Sequence, residues 1–364
     1  MPIPRRGILD LPSYPPAERL EPGAPAERLG PGARPIQLAS NECAAEPSPL
    51  AIAAFRQAAA NLRRYPDPEA GLLVEALAAH HRLEAARIAC GAGSEELIYL
   101  LARAYCGEGD EVVVAEYGYM LFRIAAQLAG ATPVLVRGPG LAPDLAAMAK
   151  AITQRTRLIF LANPNNPTGH CLPAAQIEAL WRQLPKHVLL VLDAAYAEYV
   201  TNADYDSGLA LASRAPNVVV LRTFSKVYGL ASLRIGWAYA PGPIIDVLRR
   251  SRPPSSVSGP AQAAAAAAVQ DHTHVSRIAT ENARVRAHFA EELVRCGLEP
   301  VGSEANFILA RFPGHEAAAA AYARLKSRSI IVRPMHAYGL GQFLRFTIGS
   351  GEEMDTVAEA LSSP

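Results

Sequence analysis

The feature that most constrains the fold is a series of short, almost wholly apolar runs that recurs along the chain. Stretches of helical character, such as SEELIYLLARAY (94–105) and PAAQIEALWRQL (173–184), lie between several of them. Strands without polar alternation suit a sheet that is covered on both faces, and alternation with helices makes such a sheet mostly parallel. The runs are EVVVA (111–115), TPVLV (132–136), RLIFLAN (157–163), HVLLVLD (187–193), NVVVLRTF (217–224) and RIGWAYA (234–240).

The order of these segments predicts an α/β fold in three parts. Residues 1–40, rich in Pro and Gly, predict an N-terminal arm that is either extended and packed or a flexible tail. Residues 41–245 predict a large ligand-binding domain built on the mostly parallel sheet and flanking helices, with the Pro-Gly-Pro at 241–243 near its edge. Residues 246–364 predict a smaller α/β domain. Its expected elements are a long helical region (259–296), strands at 305–312, 329–334 and 343–349, and a helix at 315–328.

Composition excludes several classes of function. A net charge of +1 gives no reason to expect nucleic acid or an acidic membrane surface, and no apolar run is long enough for a bilayer. The five cysteines are scattered without a C-x-x-C pair, which argues against a disulfide framework and favours a reducing compartment. Arg5 and Arg6 precede no long apolar stretch, so the sequence predicts a cytoplasmic protein. Asp271-His272-x-His274 lacks further ligands at suitable spacing, so no metal site is predicted.

A glycine turn, CGAGSEEL (90–97), opens one of the predicted helices. Backbone N–H groups at such a helix start form an anion cradle, so Ser94, with Glu95 beside it, is a candidate for binding an anionic ligand. The alternative is an ordinary helix start capped by Ser94. A dinucleotide fingerprint, and with it a nicotinamide dehydrogenase, is not indicated, because Glu96 occupies the place of the third glycine.

Polar residues follow two of the apolar runs, at the edge where open α/β sheets bind their ligands. Asn166 follows the run at 157–163 and would present a side-chain amide there, with a plain turn as the alternative. Asp193 ends the next run, with Tyr196 three residues on, and a carboxylate in that position is costly unless it is paired. A helix-capping role is the alternative for Asp193.

Lys226 stands in an apolar setting, RTFSKVYGLASLRIGW (222–237), with Ser225 beside it and Arg234 after a loop. The chain has only four lysines, which points to a function, although a lysine that snorkels from a strand edge is the alternative. Pyridoxal 5′-phosphate has the four groups that these residues specify. They are a phosphate for Ser94, Ser225 and Arg234, a cationic nitrogen for Asp193, a phenolic oxygen for Asn166 and Tyr196, and an aldehyde for Lys226.

Short segments spread from about residue 36 to 350 carry a family resemblance. They are LASNE (38–42), RYPDP (64–68), GAGSEEL (91–97), AEYGY (115–119), NPNNPTG (163–169), LDAAYAEY (192–199), TFSKVYGLASLRIGW (223–237), ANF (305–307) and IVRPMHAYGLGQFLRFTIG (331–349). With these segments the chain resembles the class I/II, fold type I pyridoxal-phosphate aminotransferases, and within them the histidinol-phosphate aminotransferases. The resemblance implies that Lys226 forms a Schiff base with the cofactor, that Asp193 pairs with its ring nitrogen and that Asn166 contacts its phenolic oxygen.

The resemblance also implies two aromatic contacts to the cofactor. Tyr119 is expected to stack on the pyridine ring, with Tyr117 as the second choice and core packing as the alternative role. Tyr65 of RYPDP matches a tyrosine that reaches the cofactor phosphate of the neighbouring subunit. A homodimer with a shared active site follows from that match.

Substrate contacts are expected from four further residues. Arg345 stands among apolar residues of a predicted strand, where a guanidinium is costly unless an anion meets it, and the resemblance supplies a substrate carboxylate or phosphate. Arg333 matches a second arginine that holds the substrate phosphate, with a solvated strand-end arginine as the alternative. Asn41 of LASNE, and Tyr14 reaching over the site from the arm, complete the set.

The activity implied is transamination between L-histidinol phosphate and 2-oxoglutarate in histidine biosynthesis. An aromatic amino-acid aminotransferase and a phosphate-recognising decarboxylase of the same fold are the alternatives with this cofactor. A non-catalytic ligand-binding domain is the alternative of a different class, and Lys226, Asp193 and Arg345 argue against it. The sequence reads Cys43-Ala44-Ala45-Glu46 where the family commonly has Asn-Pro-Leu-Gly, and this departure bears on the substrate.

Overall fold

Helices account for much of the chain. The computed structural model describes residues 7–9, 11 and 35–362. In those residues the α-helices are α1 (Pro49–Ala58), α2 (Gly71–His81), α3 (Ser94–Tyr105), α4 (Met120–Ala129), α5 (Leu145–Lys150), α6 (Ala174–Arg182), α7 (Leu209–Arg214), α8 (Gly242–Ser251), α9 (Gly259–Gln270), α10 (His272–Arg295), α11 (His315–Ser327) and α12 (Gly351–Ser362).

The strands form three sheets. In the same residues they are β1 (Ile36–Gln37), β2 (Ile88–Gly91), β3 (Glu111–Ala115), β4 (Thr132–Val136), β5 (Thr156–Ala162), β6 (Leu189–Asp193), β7 (Val218–Thr223), β8 (Gly236–Tyr239), β9 (Glu299–Pro300), β10 (Phe307–Arg311), β11 (Ile330–Ile331), β12 (Arg333–Pro334) and β13 (Phe343–Thr347). Short 3₁₀ turns lie between several of these elements.

The first sheet has seven strands in the order β2-β8-β7-β6-β5-β3-β4. Its neighbours pair in parallel from β7 to β4, whereas β8 runs antiparallel to both β7 and β2. The predicted α/β class with a large, mostly parallel sheet is therefore confirmed. The strand β2 was not predicted, because a four-residue run that ends in glycine reads as the start of a turn.

Apolar side chains cover both faces of the first sheet. On one face Val113, Ile159, Leu190 and Val220 belong to a core with α2, α6 and α9, and the alternate residues of the same strands belong to a second core with α3, α4 and α8. Burial on both faces explains why these strands show no polar alternation. β4 differs, since its outer residues are exposed or half-buried at the edge of the sheet.

The second sheet is antiparallel, with the order β12-β13-β10-β9. Its apolar face packs with α10, α11 and α12 in a separate core. The end of the predicted arm joins this half of the molecule, because β1 pairs in parallel with β11, Ile36 opposite Ile330. Most of the arm lies outside the described residues.

The long helical region predicted at 259–296 is two helices, and the break falls at Asp271. Asp271 is the N-cap of α10, where its Oδ1 accepts from the His274 N–H at 3.2 Å. Its Oδ2 accepts from the hydroxyl of Ser48, itself the N-cap of α1, at 2.5 Å. A capping side chain accepts from N–H groups that have no partner within the helix. The hydrogen bond between Ser48 and Asp271 therefore joins the starts of α1 and α10.

The partition at residues 245 and 246 remains a prediction. The structure places α8 across that position, and α8 belongs to the core under the first sheet. The helix α9 also packs on the first sheet's side of the molecule, against α1 and α2. The packing therefore continues beyond the Pro-Gly-Pro sequence at 241–243.

Gly236 sets how closely β8 approaches the start of α3. A Cβ built on it would lie 2.8 Å from the carbonyl oxygen of Arg222 and from the carbonyl carbon of Gly93, and closer still to the Ser94 nitrogen. We expect Gly236→Ala to lower the free energy of unfolding by about 1–3 kcal/mol, since backbone atoms must move. Urea denaturation of the variant and the wild type measures this difference in the free energy of unfolding. Gly242→Ala, where a Cβ meets nothing within 4 Å, is the control, and equal stability of the two variants would contradict the prediction.

Candidate active site

A cavity of about 860 Å³ opens at the carboxyl edge of the parallel strands, between the first and second sheets. Nearly all of the residues that the sequence singled out line it. They are Asn41, Ser94, Glu95, Tyr119, Asn166, Asp193, Tyr196, Ser225, Lys226, Arg234, Arg333 and Arg345. They come together because β5, β6 and β7 end side by side, with Ala162 opposite Asp193 in the register.

Asp193 is the last residue of β6 and is 5% exposed. Burial disfavours the carboxylate and raises the pKa of Asp193 to about 7, although the Ala195 N–H donates to its Oδ1 at 3.2 Å and opposes the shift. A carboxyl group at this depth ionises fully only beside a positive charge. The structure therefore favours a cation-pairing role over the helix cap considered from the sequence.

Lys226 lies three residues after the end of β7, in the wall of the cavity. Its Nζ donates to the Ser40 carbonyl at 3.2 Å and sits 5.7 Å from the centre of the Tyr196 ring. Burial, and then the charge of Arg345, lower the pKa of Lys226 to about 8. The amine is thus partly neutral near physiological pH, which a lysine snorkelling into solvent would not be.

The N-terminus of α3 faces the same cavity. Its N-cap is Gly93, with φ +84° and no side-chain cap, and Ser94 is the first helical residue. The predicted alternative of a helix capped by Ser94 is therefore wrong. A Cβ at Gly93 would lie 2.6 Å from Nη2 of Arg234, so a side chain there would displace the guanidinium from the helix start, and the φ of +84° favours glycine as well. Helix N–H groups beside an arginine make an anion cradle.

Ser225, two residues after the end of β7, completes this cradle. Its Oγ accepts from Nη1 of Arg234 at 3.4 Å and from the Thr223 hydroxyl at 3.0 Å. Nη2 of Arg234 also pairs with the Glu95 carboxylate at 3.2 Å, and both side chains are about half exposed. The exposed pair contributes little to stability, so a more highly charged anion can compete for the arginine.

Two arginines face the cavity from the second sheet. Arg333 and Arg345 are Cα partners across β12 and β13. Arg345 is 6% exposed, and its guanidinium donates to Asn166 Oδ1 at 2.5 Å and to the Ala39 carbonyl at 2.9 Å. Like charges directly opposite each other on neighbouring strands are destabilising, and an anion between them offsets the repulsion. This wall is therefore a candidate anion site, separate from the cradle at α3.

Besides Tyr196, which lines the cavity, the four other tyrosines considered for the site fall in different places. Tyr119 lines the cavity, and its hydroxyl donates to Glu95 Oε1 at 2.8 Å. Tyr117 instead packs against an apolar cluster at the second sheet. Tyr65 is 94% exposed and does not line this cavity. Tyr14 lies outside the described residues.

Sequence reasoning missed two contributors, Ser40 and Thr223, and one contact between predicted residues. The Ser40 carbonyl accepts a hydrogen bond from Lys226, Thr223 orients Ser225, and Asn41 Nδ2 donates to the Tyr196 hydroxyl at 2.9 Å. LASNE and TFSK carried these residues, but their polar partners depend on the tertiary fold. Within residues 35–362 and the few described before them, the structure holds no cluster of three His, Cys, Asp or Glu side chains that suits a metal ion. The same part of the chain contains no helix with the length and hydropathy of a membrane span.

Comparison with known proteins agrees with this geometry. The profile of the family described as aminotransferase class I and II matches residues 33–361. A histidinol-phosphate aminotransferase of Rhodospirillum centenum is 45% identical over 361 residues, covering 99% of this chain and 98% of that protein. One of Paramagnetospirillum magneticum is 44% identical, with the same coverage. The crystal structure of histidinol-phosphate aminotransferase from Sinorhizobium meliloti in complex with pyridoxal-5′-phosphate superposes with a TM-score of 0.86 at 32% identity, covering 90% of each chain.

The raised pKa of Asp193 predicts a pH-dependent stability in protein stripped of ligands. A carboxyl whose pKa is raised from 3.8 to about 7 on folding stabilises the fold at low pH, and that contribution is lost as pH rises through about 7. Asp193→Asn cannot ionise, so the variant does not undergo this loss of stability as the pH rises. We expect the free energy of unfolding of the variant, relative to the wild type, to rise by about 2–4 kcal/mol between pH 4 and pH 8.

Urea denaturation of both proteins at the two pH values checks this expectation. Asp204→Asn, at an exposed aspartate, is the matched control. A stability difference between Asp193→Asn and the wild type that stays constant with pH would overturn the assignment of a raised pKa.

Proposed function

The chain belongs to the class I and II aminotransferases and, within them, to the family of histidinol-phosphate aminotransferases; from this premise we propose that it transfers the amino group of L-histidinol phosphate to 2-oxoglutarate with pyridoxal 5′-phosphate as its cofactor. The observation that carries the proposal is the placement of the Lys226 amine and the Asp193 carboxyl in one cavity with two separate anion sites. A reaction with a phosphate-bearing cofactor and an anionic substrate needs all four of these features: the amine, the carboxyl, one anion site for the cofactor and one for the substrate.

The chain's own residues fit the cofactor. The start of α3, Ser225 and Arg234 form a cradle for its phosphate, at a point where glycine leaves the space that a Cβ would fill. Asp193 supplies the buried carboxylate that a ring nitrogen requires, and its pKa of about 7 falls when a cation pairs with it. Tyr119 is proposed to cover the ring face. When bound, pyridoxal phosphate supplies an aldehyde that exchanges amines and a cationic ring that withdraws electrons from the neighbouring carbon.

Lys226 is proposed as the catalytic residue. Its amine has a pKa of about 8, so a neutral fraction is present at physiological pH to attack a carbonyl carbon or to take up a proton at Nζ. After taking a proton from the substrate's α-carbon, Nζ can return it to a neighbouring carbon held within the same cavity. The Ser40 carbonyl, 3.2 Å away, orients the amine between these steps.

Asn166 and Tyr196 are proposed to hold the cofactor's phenolic oxygen. Tyr196 lies three residues beyond Asp193 and is 4% exposed, so its hydroxyl acts in a water-poor setting. Asn166 is held in place by Arg345, which donates to its Oδ1 at 2.5 Å. This bond leaves the Asn166 amide nitrogen to act as the hydrogen-bond donor.

The paired arginines are proposed to select the substrate. Arg333 and Arg345 face each other across β12 and β13, and a phosphate or a carboxylate between them offsets their repulsion. Histidinol phosphate brings a phosphate to the pair and 2-oxoglutarate brings carboxylates, so one wall serves both half-reactions. Asn41, which also lines the cavity, is proposed as a further substrate contact.

A homodimer in the cytoplasm is also part of the proposal. Tyr65 is 94% exposed in its own chain, so it is available to reach a neighbouring molecule. In this arrangement the Tyr65 hydroxyl contacts the cofactor phosphate bound by the partner. Each active site then depends on two chains.

A visible-absorption experiment tests the reaction. The purified protein, loaded with pyridoxal phosphate, is expected to show a cofactor band that bleaches on addition of L-histidinol phosphate and returns with 2-oxoglutarate. Lys226→Ala is expected to keep the fold and lose turnover by several orders of magnitude. Reduction with borohydride followed by peptide mapping should place the cofactor on Lys226.

The contrary outcomes are distinct. Bleaching with phenylalanine or tyrosine but not with histidinol phosphate would move the substrate to aromatic amino acids. Retained turnover in Lys226→Ala would overturn the catalytic assignment.

Mixed dimers test the shared site. We expect Tyr65→Phe and Lys226→Ala, each inactive or weak alone at limiting cofactor, to regain activity when they are co-expressed. One of the two sites in the mixed dimer then contains both native residues, so activity approaches about half that of the wild type per dimer. If mixed dimers are no more active than the two parents, Tyr65 does not act across the interface.

A further inference from the structure

Residues 38–43, four of which line the cavity, form a strap that is held from both sides. On one side the Leu38 N–H donates to the Ile331 carbonyl at 2.7 Å, and the Leu38 carbonyl accepts from Thr347 at 3.0 Å. On the other side the Ser40 carbonyl accepts from Lys226 at 3.2 Å. The strap therefore joins the second sheet's half of the molecule to the catalytic lysine.

Asn306 fastens the strap from the residue before β10. It is 1% exposed, and its Nδ2 donates to the carbonyls of Asn41 at 3.1 Å and Glu42 at 3.0 Å. Its Oδ1 is buried and has no hydrogen-bond partner among residues 35–362. A buried amide oxygen without a partner is costly, so the orientation of this side chain is dictated by the two carbonyls.

Asn41 turns the strap toward the site. Its φ is +54°, in the left-handed region that asparagine tolerates better than most residues. Its N–H donates to the Thr347 hydroxyl at 2.9 Å, while its carbonyl is held by Asn306. With both ends of its backbone fixed, its Nδ2 is aimed at the Tyr196 hydroxyl, 2.9 Å away.

We infer that Asn306 is a positioning residue that acts through Asn41 on the Tyr196 hydroxyl. A donor at the Tyr196 oxygen polarises its O–H and makes it a stronger donor in turn. This inference rests on the proposed function, in which that O–H meets the phenolic oxygen of the cofactor. The Asn306 amide thereby sets the protonation behaviour of the bound cofactor, although it touches neither cofactor nor substrate.

The test uses the cofactor-loaded enzyme and the pH titration of its visible band. Loss of the Asn41 bond weakens donation from Tyr196, so the anionic phenolic oxygen is less stabilised and the titration midpoint rises. We expect Asn306→Ala and Asn41→Ala to raise it by a similar amount, about half a pH unit, and to lower kcat/KM about tenfold. The double variant should shift the midpoint no further than Asn41→Ala alone, because both act on one bond.

Asn282→Ala is the matched control. Asn282 is another buried asparagine whose Nδ2 donates to a backbone carbonyl, that of Ala305, at 3.4 Å. Arg286 donates to the same carbonyl at 2.8 Å, so the control leaves that oxygen bonded and the strap untouched. Its titration midpoint and kcat/KM should stay at the wild-type values.

A purely structural role gives a different pattern. Asn306→Ala would then lower the melting temperature but titrate at the wild-type pH, and its effect on kcat/KM would multiply with that of Asn41→Ala; this result overturns the inference. If Asn306→Ala does not fold, Asn306→Ser keeps a small polar group at this position. Its titration midpoint and kcat/KM are then compared with those of Asn41→Ala in its place. Failure of the proposed cofactor is distinguishable, since the wild-type enzyme would then show no band to titrate, and failure of the proposed substrate would appear as a band that histidinol phosphate does not bleach.

Discussion

Burial of two opposite ionisable groups at one sheet edge is the constraint on which the site depends. The first sheet is covered on both faces, so the ends of β6 and β7 place Asp193 and Lys226 where water is scarce. Desolvation moves their pKa values toward each other, upward for the acid and downward for the amine. The pKa of each group therefore lies near physiological pH, which leaves the Lys226 amine partly neutral and the Asp193 carboxyl ready to ionise beside a cation.

The two sheets divide the work of recognition. The first sheet and α3 provide an anion cradle at a helix start, together with the acid and the amine. The second sheet provides the opposed Arg333 and Arg345. In the proposed function, catalysis and substrate selection therefore rest on separate elements that line one cavity. Substrate preference can change through the second sheet while the amine and the acid remain in place.

Local pattern predicted the buried parallel strands and part of the cavity's lining, and the family resemblance added Tyr119, Arg333 and Asn41. An apolar run such as HVLLVLD indicates a strand that is buried on both faces. The polar residue that ends the run indicates the carboxyl edge of the sheet. The sequence could not predict β2, where a short strand ends in glycine, nor the antiparallel direction of β8, which only the pairing determines. The break at Asp271 was missed because α9 and α10 both have strong helical composition.

The positioning contacts were beyond sequence reasoning for a different reason. Asn306 and Asn41 are 265 positions apart, and the acceptors of the Asn306 amide are backbone carbonyls, which carry no residue-type signal. The acceptor of the Lys226 amine, the Ser40 carbonyl, is likewise a backbone group without a residue-type signal. A motif can mark such residues as a set, as LASNE and ANF do, but only the fold says which atom each one meets.

Residues 38–43 have one more consequence, for mechanics. Consecutive carbonyls of this segment, those of Ala39 and Ser40, accept from Arg345 on the second sheet and from Lys226 beside the first. A hinge displacement of one sheet relative to the other would therefore pull on the lysine amine and the substrate arginine through two adjacent peptide units. The backbone of this one segment links the arginine on the second sheet to the amine beside the first, so any shift of the segment would change both hydrogen bonds together.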